Sequence, residues 1–209
     1  MYVILISLLN LIYTVNAVEI LYENKFLMNN EKWQITGNKI IEPAAHQSYN
    51  IEKEMSHYII FKDTLINVDD KNPNDKSLWY FESPTIIINN VPRPGTRESK
   101  NFNPKYPTSM SFTMTSFVGN FNELNENTKL VKLRQGLNCL TFDAPAYDGK
   151  TKIFTVPFVD NLWKHDMTDL QVNYKEMKEI FMGPFTIEIL GDWTRNVEVI
   201  GLDNIIIYA

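Results

Sequence analysis

Ser109-Met110-Ser111-Phe112-Thr113-Met114-Thr115 alternates a hydroxyl-bearing residue with a large apolar one at every step. A period of two places one set of side chains on a core and the other towards water, which is an antiparallel strand buried on one face. Outward from this strand the same kind of run recurs. Residues 130–133, 137–142 and 153–156 read as three more strands, separated by the turn-formers Arg134-Gln135-Gly136 and Tyr147-Asp148-Gly149-Lys150. Upstream, 19–22, 33–36, 39–42, 58–61, 78–82 and 85–88 are short β-branched and aromatic runs. Gly37-Asn38 suggests a hairpin between the second and third of these, and Ser83-Pro84 separates the last two. Downstream, 185–190 and 197–208 close the chain as strands.

One helix is expected between 168 and 183. Thr168 and Gln171 form a capping box, Leu170, Tyr174, Met177 and Phe181 recur at helical spacing, and Gly183-Pro184 stops the run. Many short strands with one short helix predict an all-β protein, an antiparallel β-sandwich of jelly-roll type. Segments 67–77 and 89–108 are the long polar loops; the second carries Pro92, Pro94, Pro104 and Pro107 and has the length of a functional or mobile loop.

The chain has 209 residues, 44% hydrophobic and 22% charged, with a net charge of -5, which suits one globular core. No dense Lys/Arg stripe offers a footprint for nucleic acid. The single cysteine, Cys139, excludes an intrachain disulfide and a cysteine-built zinc site. Residues 1–17 hold an apolar run from Val3 to Tyr13 and end Val15-Asn16-Ala17, the pattern of a cleavable secretory leader, although no Lys or Arg precedes the run. A mature domain of residues 18–209, soluble in the secretory lumen or outside the cell and without an integral membrane segment, is therefore expected. The dispersed Asn residues include no Asn-x-Ser/Thr acceptor for sugar.

The order of several pieces adds to their periodicity. Trp33-Gln34-Ile35-Thr36-Gly37-Asn38, Trp79-Tyr80-Phe81-Glu82-Ser83-Pro84, Met110-Ser111-Phe112-Thr113-Met114, Val131-Lys132-Leu133-Arg134-Gln135-Gly136, Phe154-Thr155-Val156-Pro157-Phe158 and Asn161-Leu162-Trp163 follow one another, then the short helix and a terminal apolar strand. In this order the chain resembles the laminin IV (laminin B) domain over almost all of its mature length. That resemblance implies an extracellular β-sandwich, related in shape to carbohydrate-binding modules, that works in adhesion without catalysis. The ending Asp203-Asn204-Ile205-Ile206-Ile207 is also similar to the close of galactose-binding-like jelly rolls. Laminin IV domains sit among disulfide-rich EGF-like repeats, and a chain with one cysteine keeps no such company. By the same resemblance Glu23 and Asp203 would be the carboxylates of a structural calcium site; six to eight oxygens would be needed to complete it.

The catalytic inventory is thin. His46, His57 and His165 are scattered, no nucleophile elbow, zincin motif or phosphate loop occurs, and Cys139 lies in a strand pattern. His165 with Asp166 and Asp169 reads as a helix-start cluster rather than an acid/base dyad. Trp33 and Trp79 sit inside strand runs and belong to the core. Trp163, beside Asn161, Lys164 and His165, and Trp193, beside Asp192 and Arg195, have the neighbours of a sugar-stacking site, so Trp163, Trp193 and Arg195 are the candidate ligand contacts. The expected function is a secreted, non-enzymatic recognition or adhesion module for a glycan or a protein partner. The alternatives are a carbohydrate-active hydrolase or lyase on the same sandwich, and a structural subunit of an extracellular complex.

Overall fold

A computed structural model describes residues 18–26, 31–37, 58–63, 78–89, 91, 104–119, 121, 128–145, 147, 149–193 and 197–209. The expected leader 1–17, the expected strand at 39–42, the expected loop 67–77 and most of the expected loop 89–108 lie outside them, as do His46, His57 and Arg195.

The described residues form two antiparallel sheets and one short helix. Eleven strands follow in chain order: β1 (Ile20–Asn24), β2 (Gln34–Gly37), β3 (Ile59–Asp63), β4 (Trp79–Glu82), β5 (Ser109–Val118), β6 (Lys129–Gln135), β7 (Asn138–Asp143), β8 (Thr151–Pro157), β9 (Trp163–His165), β10 (Thr186–Leu190) and β11 (Glu198–Tyr208); helix α1 (Tyr174–Glu179) stands between β9 and β10. One sheet runs β1-β11-β5-β8, with β3 beside β1 on the same edge of β11. The other runs β2-β4-β10-β6-β7-β9. The expected all-β sandwich with one short helix is the observed architecture.

The alternation that opened the reading decides which side chains meet. Met110, Phe112 and Met114 of β5 are fully buried, and so are Ile200, Leu202, Ile205 and Ile207 of β11. Opposite them the second sheet contributes Phe81, Val131, Leu133, Ile187 and Ile189, all nearly or fully buried. Burying each such side chain stabilises the fold by about 1.5–3 kcal/mol, and with no disulfide this core is what holds the sheets. In β11 the inward residues are spaced two apart except between Leu202 and Ile205. Asn204, at φ 50, is the extra residue of a β-bulge, and pairing with β5 shifts there between Asp203 and Ile206. Asn tolerates this left-handed backbone, and the bulge returns Ile205 and Ile207 to the core.

Three elements differ from the sequence reading. The helix begins at Tyr174, not near 168: Asn173 is its N-cap, accepting from the Lys175 and Glu176 amides, while Glu176 accepts from the Asn173 amide in a capping box. Residues 170–172 are instead drawn back along β9, where the Leu170 and Val172 carbonyls accept from His165 and Asn161 and the Val172 amide donates to the Trp163 carbonyl. Thr168 therefore caps a turn, its hydroxyl accepting from the Leu170 amide. The run 85–88 is no strand; Ile86 makes one bridge to Phe185 after the Ser83-Pro84 break. The short β9 was not anticipated, because three residues carry too little periodicity to register.

Candidate functional site

Strand register gathers chemistry on the outward face of the six-stranded sheet. Gln34, Glu82, Glu188, Lys132, Thr141 and Lys164 stand directly opposite one another in a single row from β2 to β9. Glu82 and Glu188 are like charges on neighbouring strands, an arrangement that costs stability unless other groups offset it. Gln34 Nε2 donates to Glu82 at 3.0 Å, Arg134 Nε donates to Glu188 at 2.9 Å, and Lys132 Nζ lies 4.0 Å from Glu188. The bond to Glu188, first, raises the affinity of the Arg134 guanidinium for its proton. Lys132 also sits over the Tyr80 ring, 4.4 Å from its centroid, and burial, followed by the charges of Glu188, Asp166 and Asp192, pushes the Tyr80 phenol far up. Cys139 lies beside this row; burial pushes its thiol up to about 11 and Arg134 only partly opposes it. A thiol held protonated at neutral pH is a poor nucleophile.

At the β9 end the row closes into a ring of ion pairs. Lys129 reaches Asp143 at 2.6 Å and Asp169 at 3.6 Å, while Lys164 lies 3.4 Å from each of the same two carboxylates. Asp169 takes a left-handed backbone, φ 55, to point into the ring. Desolvation raises the proton affinity of Asp143, but the hydrogen bond from Lys129 and the charges of Lys129 and Lys164 outweigh it and hold the carboxyl below its ordinary value. A folded value below the unfolded one means that the contribution is complete above about pH 4 and lost as pH falls through the folded value. Because Asp143 is 43% exposed, the effect is small, about 0.5 kcal/mol or less. Urea midpoints measured from pH 6 down to pH 2 are expected to fall less steeply below pH 4 in Asp143→Asn than in wild type; parallel curves would show that the ring contributes nothing.

Beside this ring the turns of β6–β7 and of 166–170 are adjacent, since the Asp166 amide donates to the Cys139 carbonyl where β7 pairs with β9. Their tips are apolar. Leu137 is 100% exposed and Met167 93%, with Leu170 and Tyr174 more than half exposed on the segment that returns to α1. The expected helix-start role of Asp166 and Asp169 does not hold, because both precede the first helical turn. Asp169 faces Lys129 and Lys164, and His165 Nε2 lies 3.5 Å from Glu176.

The candidate sugar-stacking residues are core. Trp163 is fully buried against Phe142 and Phe158, its indole donating to the Pro157 carbonyl at 2.8 Å. Trp193 is 1% exposed, packed on Phe121 and Phe154, and its indole donates to the Leu190 carbonyl. Neither ring face is open to a sugar, because each indole sits between the two sheets rather than over one. Trp33 and Trp79 are buried as expected. Glu23 lies exposed on β1 opposite Ile206 and pairs with Lys25 at 2.9 Å, whereas Asp203 is buried on β11 opposite Thr113, beyond the bulge. Among the described residues no three His, Cys, Asp or Glu side chains gather where they could hold a metal ion.

The charged row and the apolar tips went unread in the sequence. The pattern Lys129-Leu130-Val131-Lys132-Leu133-Arg134 marks the outward positions of one strand, but which strands lie beside it is set by long-range pairing.

No protein-family model matches the chain, and no curated protein sequence matches it. Among solved structures, the L4b domain of human laminin alpha-2 matches with a TM-score of 0.57 at 11% identity, over 90% of this chain and 97% of that domain. The likeness is one of fold.

Proposed function

We propose that this chain is a non-enzymatic recognition or adhesion module of the extracellular space, cleaved after residue 17, that docks a protein partner at the corner where the 134–138 and 166–170 turns meet the Lys129–Asp143–Lys164–Asp169 ring. The observation that carries the reading is the exposure of Leu137, Met167, Leu170 and Tyr174 on adjacent turns. Apolar side chains beside fixed charges are the anatomy of a protein interface, with a dry centre and a polar rim. The laminin-like fold supports an adhesive role by analogy of architecture. The protonated Cys139 thiol and carboxylates already engaged by Gln34, Arg134 and lysines favour recognition over catalysis.

Leu137 and Met167 touch little of their own chain, so Leu137→Ser/Met167→Ser is expected to keep its stability within about 0.5 kcal/mol. A benzophenone side chain placed at 137 in the secreted protein is expected to crosslink one extracellular protein, and Met167→Ser in that background to abolish the crosslink. Crosslinking that ignores position 167 would sink the docking corner. Sugar binding by wild type on a glycan array would move the reading to a lectin.

A further inference from the structure

The free edge of the five-stranded sheet carries a second, independent surface. Strand β8 ends the order β1-β11-β5-β8, and among the described residues nothing pairs with its outer side. Its register with β5 fixes which backbone groups face that side. Residues 108 and 158 pair at one end, the Phe158 amide donating to the Thr108 carbonyl, and 116 and 150 pair at the other, the Ser116 amide donating to the Lys150 carbonyl. In an antiparallel ladder hydrogen-bonded pairs recur every second residue, so Lys152, Phe154 and Val156 turn their N–H and C=O groups towards β5. Thr151, Ile153 and Thr155 turn theirs to the open edge. The window is bounded at both ends: the Tyr147 hydroxyl donates to the Thr151 carbonyl at 2.7 Å, and Pro157 has no N–H. The side chains of the same three residues are exposed, Ile153 by 69%.

An edge of this kind, β-branched and with Lys152 as its one charge, is a template for another strand. We infer that β8 pairs with β8 of a second copy of this chain, antiparallel about a two-fold axis at Ile153. The sequence is complementary to itself in this register. Ile153 meets Ile153 of the second copy and each Thr151 meets a Thr155; all three edge-facing residues exchange hydrogen bonds, the Thr151 carbonyl accepting on the lone pair that the Tyr147 hydroxyl leaves open. Lys152, whose ammonium lies 4.2 Å from the Tyr147 ring of its own chain, falls opposite the apolar Phe154 of the second copy, so no like charges meet across the pairing. Slipping the pairing one way sets Lys152 against Lys152; slipping it the other way sets Thr151 against Pro157, which has no donor. The two-fold pairing uses both β8 edges and closes, so it makes a dimer and no fibre. The contact is narrow, and its affinity belongs in the micromolar range.

Sedimentation equilibrium of the full-length chain tests this. Wild type is expected to dimerise reversibly, and amide exchange at Ile153 and Thr155 to slow as concentration rises. Ile153→Lys and Ile153→Glu each place like charges face to face on the axis and are expected to weaken the dimer roughly tenfold or more, with circular dichroism unchanged. An equal mixture of the two is expected to restore association as a heterodimer. Thr155→Pro removes one edge donor while leaving the bonds to β5, and is expected to weaken the dimer as well. A monomeric wild type, a dimer indifferent to Ile153, or protection of these amides only by a strand from a different protein overturns the self-pairing.

Discussion

Glu198→Ala is expected to destabilise the protein by about 3 kcal/mol, the cost of leaving two buried donors without their acceptor. Glu198 begins β11 in one sheet and is completely buried. Its carboxylate accepts from the Trp79 indole of the other sheet at 3.1 Å and from the Trp193 amide, just past β10, at 3.0 Å. The side chain thus bonds the two layers directly, at a point where a methyl group would restore neither bond and would leave a cavity besides. In a chain of this size the loss corresponds to a melting temperature lower by roughly 6–12 °C. Glu198→Gln keeps one acceptor oxygen and is expected to lose less than half as much. Urea denaturation of the three proteins, with unchanged m-values, checks both steps; equal midpoints for wild type and Glu198→Ala would show that this cross-sheet bond contributes nothing.

Gly191→Ala is expected to be more damaging still. A β-carbon at this position would overlap the six-membered ring of Trp79, a side chain with no exposed surface and held by the Glu198 bond. The Gly191 amide also donates to the Trp79 carbonyl, so backbone and ring cannot both move aside. Overpacking of this kind costs about 3 kcal/mol or more. The expected readout is a red-shifted tryptophan emission and loss of most soluble protein. Shortening the clashing ring should relieve the damage: Gly191→Ala in a Trp79→Leu background is expected to cost far less than in wild type. Additive losses in that cycle would remove the ring overlap as the cause.

These two positions also show what was legible in the sequence. The strict alternation of 109–115 and the turn-formers around 134–136 and 147–150 yield strands β5 to β8 within a few residues, because a half-buried strand writes its faces into its own residues. Helix α1 was misplaced at its start because Thr168 and Gln171 satisfy a local capping pattern, while pairing of 170–172 with β9 wins in the fold. The burial of Trp163 and Trp193 was hidden for a related reason: polar neighbours along the chain say little about which sheet lies across from a ring. The row from Gln34 to Lys164 joins six strands whose order bears no simple relation to their sequence order, and no local pattern records it.

The bulge at Asn204 makes β11 two half-strands of opposite phase. Residues before it share their outward parity with Val199 and Gly201, those after it with Ile206 and Tyr208, and β5 follows both through its shifted register. Chain length at this point is therefore free to fall by one residue. Loss of Asn204 alone would remove the bulge and leave an unbroken alternation, with Ile205 and Ile207 still on the core and Ile206 and Tyr208 still outward, so β1 and β5 could keep their partners along β11. Most β-strands can drift in sequence but not in length; in β11 the tolerance for a deletion is widest at Asn204, the residue the ladder leaves over.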